Sequence, residues 1–285
     1  MRDDAAVIAR LRGAGCVFAE EEAALIACAA RTPAELDDMV GQRVKGLPLE
    51  QVIGWAEFRG MRIFVAARVF VPRRRSEFLV EVAAGLARER DAAMSPVAPA
   101  APSAAPSAPE LARVIVDLCC GTGALGLAVA SELGGAELHA ADLDPAAVAC
   151  ARRNVGPAGG HVYGGDLFDP IPPTLRGRVN VLICNAPYVP SAEIAFLPAE
   201  ARDHEPLVAL DGGLDGLSVL RRAAREAPGW LAPGGVLLVE TSEHQAAEMA
   251  SAMRAAGLVA RVHTDDECGA TVITGSVLTS AAGAL

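Results

Sequence analysis

The chain has 285 residues, 52% of them apolar, and a formal net charge of −10. That length leaves room for a main domain and a smaller one, with apolar residues enough for a substantial core. No run of eighteen apolar residues lacks charge, so no transmembrane helix is expected. The start MRDDAAVIARLR is acidic where a signal peptide is basic, so a cytoplasmic protein is the default expectation. The acidity also argues against a broad nucleic-acid surface, leaving room only for a local basic patch.

The first 45 residues carry apolar positions at helical spacing, in AAVIARL and EEAALIACAA. Thr32-Pro33-Ala34-Glu35 reads as a helix start, with Thr32 as cap, Pro33 at the first helical position and Glu35 completing a capping box. Residues 55–71 alternate polar and apolar around Gly60 and predict a β-hairpin. A helix over about 76–90 follows. The Ala/Pro/Ser-rich stretch at about 92–110 cannot bury a core and is expected to be a disordered insert.

From Arg113 onward short apolar runs alternate with helical segments. This predicts a mostly parallel sheet with helices on both faces. The seven cysteines form no C-x-x-C pair, which favours reduced core thiols over a zinc site or a disulfide framework; no metal centre is expected.

The first strand of this region ends VDLCCGTGALG, a glycine-rich strand-to-helix turn with Gly121, Gly123 and Gly126. Such a turn lets backbone N–H groups approach a ligand. The second strand ends in Asp142, nineteen residues past Gly123, where a carboxylate can accept ribose hydroxyls. Asp144 stands ready to cap the next helix. Asp166 follows the third strand and can accept from an adenine amino group. The glycines alone fit a dinucleotide as well. Asp117, just before the turn, favours the ammonium of S-adenosylmethionine over a pyrophosphate.

The fourth strand, RVNVLIC, runs into Asn185-Ala186-Pro187-Tyr188. The carboxyl edge of an open α/β sheet is where ligands bind. Asn185 Oδ1 and the Ala186 carbonyl, held rigid by Pro187, would be two adjacent acceptors. They match the two hydrogens of one NH2 group. Tyr188 offers a flat face to a planar target. The pattern points to methyl transfer onto an amide or aryl-amine nitrogen.

With these residues the chain resembles the protein-(glutamine-N5) methyltransferases that act on peptide chain release factors. The resemblance runs from about residue 46 to 275. It rests on PLEQVIGWAEFRGMRIFVAARVFVPRR, VDLCCGTGALGLAVA, ADLDPAAVACARRN, GDLFDP, NAPYVP, the EP-x4-L-DGG-x-DGL stretch and LLVETSEHQ. It implies a seven-stranded class I S-adenosylmethionine-dependent methyltransferase domain over 72–285. A helical N-terminal domain with a hairpin connector, 1–71, would help hold the substrate. It also implies S-adenosylmethionine as cofactor, S-adenosylhomocysteine as product and a protein glutamine as acceptor. Asp117, Cys119, Gly121, Thr122, Gly123, Asp142, Leu143, Asp166, Leu167 and Asn185 are the implied cofactor contacts. Asn185, Ala186, Pro187 and Tyr188 form the catalytic grip, and Arg73, Asn185 and Tyr188 touch substrate.

The chain departs from the family pattern at several points. Ala186 replaces a proline, and Cys119 replaces the first glycine of the turn. Pro72-Arg73-Arg74-Arg75-Ser76-Glu77 stands where P-R-P-E-T-E is usual, so Arg75 reverses a charge. The closing strand lacks the usual arginine before its valines. Two alternatives stay open: N6-adenine methylation of nucleic acid, and a cofactor-binding protein without catalysis. His204, Trp55 and Trp230 read as structural, and Glu205 and Asp211 as ordering the loop after the site.

Overall fold

The computed structural model describes residues 4–94 and 113–277. The expected insert therefore lies almost wholly outside the described residues, and its first positions, 92–94, are helical. The early apolar spacing forms α1 (Asp4–Gly13), α2 (Ala19–Ala29), α3 (Pro33–Val44) and the single turn α4 (Leu49–Ile53). Leu11, Ile26, Val40 and Val52 meet in a core of their own. Thr32 Oγ1 caps α3 by accepting the Glu35 N–H at 3.1 Å. The reciprocal bond differs from expectation: Glu35 takes the Arg31 N–H at 2.8 Å. Its ion pair with the Arg31 guanidinium draws it one residue past the cap.

The hairpin is β1 (Trp55–Phe58) and β2 (Met61–Phe64), antiparallel about Arg59–Gly60. It is shorter than the 55–71 pattern. Asn154 takes both the N–H and the C=O of Phe64, each at 2.9 Å, which docks the hairpin end on the helix Pro145–Val155 rather than extending it. A 3₁₀ turn at Arg74–Ser76 then leads into α5 (Glu77–Met94).

The rest runs β3 (Val114–Leu118), α6 (Ala124–Glu132), β4 (Glu137–Asp142), α7 (Pro145–Val155), β5 (His161–Gly164), β6 (Val179–Cys184), α8 (Ala199–His204), α9 (Ser218–Glu226), β7 (Leu231–Thr241), α10 (Glu243–Ala255), β8 (Val259–Asp265) and β9 (Ala270–Ser276). The seven strands form one sheet in the order β5-β4-β3-β6-β7-β9-β8. All pairings are parallel except those of β9 with β7 and β8. This is the fold class expected from the alternating pattern.

Helices cover both faces. Leu79, Val80 and Ala83 of α5 join Leu125 and Val129 of α6 on one. Leu220 and Ala223 of α9 join Met249 and Met253 of α10 on the other. Strands buried on both sides are mostly apolar, and every residue of β3 is buried, with Asp117 the one charged residue among them. Leu182 of β6 has no exposed surface; its truncation to alanine would cost about 2–5 kcal/mol. Chain order reverses at β3, with β4 on one side and β6 on the other. A crevice at the carboxyl ends of β3 and β6 follows from that reversal.

Candidate active site

A cavity of about 600 Å³ occupies that crevice. Its walls come from the turn after β3, the ends of β4 and β6, and the loops at 69–76, 165–167 and 185–210. Cys119, Gly121, Thr122, Asp142, Leu143, Asp166, Leu167, Asn185, Ala186, Pro187, Tyr188 and Arg73 all line it.

Asp142 organises the part of the cavity beside β4. Its Oδ2 accepts the Gly121 N–H at 2.8 Å and its Oδ1 the Asp144 N–H at 2.9 Å. Burial raises its pKa, while these backbone donors pull it down. Each oxygen keeps a lone pair for a ligand hydroxyl. Asp144 caps α7 through the Ala146 N–H at 2.9 Å, which leaves Asp142 to the cavity. Nothing stands within 4 Å of where a Gly121 Cβ would project, so the glycine leaves open room on the cavity wall. That room and the adjacent carboxylate suit a nucleoside, and the residues fit S-adenosylmethionine. Asp166 Oδ2 is held by Arg222 at 2.7 Å.

Two non-glycine residues on this wall adopt left-handed backbone: Cys119 with φ 55° and Leu167 with φ 46°. Such conformations cost energy and persist where surrounding structure demands them. Cys119 thus keeps the backbone course that the family's glycine would take more easily. Its free thiol shares a hydrogen bond with that of Cys184, which together with burial raises its pKa.

Two of the expected cofactor contacts, Asp117 and Gly123, are not among the residues that line the cavity. Asp117 is fully buried and does not line the cavity. Its Oδ2 accepts the Gly126 N–H at 2.9 Å beneath α6, and burial pushes the carboxyl up to about 7. The electrostatic argument against a pyrophosphate therefore loses its footing. Gly123 is also off the wall; a Cβ there would stand 2.6 Å from Val155 Cγ2, so it serves helix packing.

Asn185 emerges at the end of β6. Its Nδ2 donates to Ser76 Oγ at 3.4 Å. Among the described residues no donor reaches its Oδ1 or the Ala186 carbonyl. Tyr188 donates to Glu240 Oε1 at 3.0 Å and accepts from Arg75. Burial first, then the Glu240 charge, raises the Tyr188 hydroxyl pKa, so it remains a phenol.

The loop carrying Asn185 is clamped by backbone. Val189 N–H meets the Leu210 carbonyl at 3.1 Å, Gly212 N–H the Val189 carbonyl at 2.9 Å, and Ser191 N–H the Gly213 carbonyl at 2.9 Å. Asp211 supports this through Ser191 Oγ at 2.6 Å and the Gly213 N–H at 2.9 Å. Glu205 does something else: it binds the Val71 N–H at 3.2 Å and Arg73 at 2.5 Å. Arg73 lines the cavity with its guanidinium already paired. Glu200 of α8, also on the wall, is held at 2.9 Å by Arg43 of α3, which pairs with Glu22 at 2.6 Å. His204 forms no part of the wall. Trp230 packs on Phe168 at 5.1 Å between ring centroids.

Ser76, Glu240, Gly212, Gly216 and Gln245, none of them singled out in the sequence, also pack around the Asn185–Tyr188 loop. The paired glycines of DGG-x-DGL and the cap spacing of Ser242 to Gln245 were available signals.

This sheet order and cavity define a class I methyltransferase. Residues 104–199 match the Methyltransferase small domain family. A release factor glutamine methyltransferase of Streptomyces coelicolor is 35% identical over 212 residues, 74% of this chain and 69% of that protein. A 4-amino-L-phenylalanine/4-methylamino-L-phenylalanine methyltransferase of Streptomyces pristinaespiralis is 33% identical over 218 residues, 76% of this chain and 69% of that one. Among solved structures, the hMettl16 catalytic domain in complex with MAT2A 3'UTR hairpin 6 aligns with TM-score 0.55 and 11% identity, covering 87% of this chain and 84% of that chain. This last likeness concerns the fold alone. The chain belongs to the release factor glutamine methyltransferase family and is a methyltransferase enzyme. Family and fold imply S-adenosylmethionine as cofactor.

Proposed function

We propose that the chain methylates the side-chain amide nitrogen (N5) of a glutamine in a protein, a peptide chain release factor being the first candidate. The observation that carries this reading is the pair of unengaged acceptors, Asn185 Oδ1 and the Ala186 carbonyl, on the cavity wall at the end of β6. S-adenosylmethionine, when bound, supplies an electrophilic methyl carbon. Gly121, Thr122, Asp142, Leu143, Asp166 and Leu167 would hold it.

An amide nitrogen is a poor nucleophile because its lone pair is delocalised. Asn185 Oδ1 and the Ala186 carbonyl would draw both hydrogens into acceptor bonds, orienting the nitrogen and enriching its electron density. The Tyr188 ring would flank the planar group. Positioning of this kind supplies about 7–11 kcal/mol toward a barrier. No strong base is needed before transfer; the methylated, cationic nitrogen would be acidic enough to give its proton to solvent water afterwards. The helical part, residues 1–71, would help hold the protein substrate, and Arg43 links it to the cavity wall through Glu200. A translation-factor substrate would place the enzyme in the cytoplasm.

A second reading, transfer to an aryl amine, is favoured by one relative, named a 4-amino-L-phenylalanine/4-methylamino-L-phenylalanine methyltransferase. The same grip fits that group. Incubation with methyl-labelled cofactor and, separately, a release factor, 4-amino-L-phenylalanine and nucleic acid separates the readings. Label on a protein glutamine supports the first. Label on the small aryl amine or on adenine overturns it, as does cofactor binding with no transfer at all.

A further inference from the structure

Position 75 carries a charge opposite to the family pattern, and the fold shows how it is used. Arg75 Nε lies 3.1 Å from Glu240 Oε1, and its Nη2 donates to the Tyr188 hydroxyl. That hydroxyl donates to the same Glu240 oxygen at 3.0 Å. The guanidinium carbon also stands 5.7 Å from the centroid of the Tyr188 ring. Three side chains from distant parts of the chain thus close into one ring of contacts on the cavity wall.

Glu240 makes the arrangement consequential. Its side chain, near the end of β7, is 3% exposed, and among the described residues its Oε2 has no hydrogen-bond partner. Among the described residues Arg75 is the cation paired with it. A buried carboxylate stripped of its cation is left uncompensated and rearranges toward water. That movement would free the Tyr188 hydroxyl. The planar fork of an arginine can serve a phenol and a carboxylate together, which a lysine ammonium does poorly. The neighbouring Ser76 accepts from Asn185, so this short turn touches both halves of the acceptor site.

We infer that Arg75 is a positioning residue for methyl transfer: it ties Tyr188 to Glu240 and so fixes the wall against which the acceptor's planar group lies. This rests on the reading of Asn185 to Tyr188 as the acceptor site. The charge reversal is then a built exchange, in which a buried acid on β7 receives its cation from the turn before α5.

The test uses the full chain with a peptide chain release factor as acceptor and S-adenosylhomocysteine as binding probe. Arg75→Gln is expected to lower kcat/KM for the acceptor by about tenfold to a hundredfold, as small misplacements do. S-adenosylhomocysteine affinity stays unchanged. Arg75→Lys recovers only part of the loss. Glu240→Gln behaves like Arg75→Gln, and the double variant is no worse than the poorer single one, because the two act as a unit. Arg74→Gln, on an exposed neighbour, retains full activity.

A second measurement needs no acceptor. The chain has 2 tyrosines, so in a Tyr163→Phe background fluorotyrosine labelling reports Tyr188 alone. Its resonance is expected to move or broaden when Arg75 becomes Gln. An unmoved resonance, losses that multiply in the double variant, or a parallel loss of S-adenosylhomocysteine affinity would overturn the role. Turnover by Asn185→Ala would instead remove the acceptor-site reading beneath it. An inert Asn185→Ala beside a fully active Arg75→Gln would remove the Arg75 role alone.

Discussion

Gln245 Nε2 donates to the Tyr188 carbonyl across 2.8 Å and fastens the first turn of α10 to the loop that carries Asn185. The same nitrogen reaches the Asp215 carbonyl at 2.9 Å, while the amide oxygen accepts from the Ser242 hydroxyl and N–H. One side chain therefore completes a helix cap and clamps two loops. Gln245→Ala is expected to lower stability by about 1–2 kcal/mol. It should also reduce acceptor turnover more than cofactor affinity. Urea unfolding and steady-state kinetics on the same preparation check both.

Gly212 lets two backbones touch. A Cβ there would stand 2.6 Å from the Pro187 carbonyl oxygen and against that of Gly216, neither of which is a flexible side-chain end. Gly212→Ala must push the Asn185 loop away from its clamp. A displacement of that kind costs about a hundredfold in transfer. S-adenosylhomocysteine binding, measured calorimetrically, should persist, because Gly212 does not line the cavity.

Asp117 gives a pH signature. Its carboxyl titrates at about 7 in the folded chain, raised by burial, against an ordinary value of 3.8. Between those values the folded state holds more protons than the unfolded one, so this group makes stability fall as pH rises from about 4 to 7. Asp117→Asn removes the term. The ligand-free variant should gain on the parent by a few kcal/mol at pH 8 and little at pH 4. Denaturant midpoints at the two pH values decide it; an equal effect at both would mean that Asp117 is ionised throughout.

Asp142 is the proposed ribose contact, and it also accepts from Gly121 and Asp144. Asp142→Ala is expected to weaken S-adenosylhomocysteine binding by at least about tenfold, the loss of charge-assisted hydrogen bonds. Calorimetric titration measures this directly. Unchanged affinity would remove the assignment.

The sheet was legible because buried parallel strands are dominated by apolar residues, as in the runs RVIVDL and RVNVLIC. Asn185 stood out because an amide two residues before a proline closes such a run, and the fold places it on the cavity wall. Asp117 was misread because periodicity gives a strand residue no depth: a carboxylate before a glycine turn can face a ligand or lie beneath the next helix. The Arg75–Glu240 pair spans 165 positions, and only tertiary structure brings the two together. The Gln245 tie was hidden for the same reason, although the cap spacing of Ser242 and Gln245 signalled the helix start.

The central claim is that Asn185 grips the accepting nitrogen. The most direct measurement is methyl transfer to a release factor by Asn185→Ala, with S-adenosylhomocysteine affinity taken on the same sample. The account predicts no detectable transfer and retained affinity. Turnover near that of the parent enzyme would contradict it.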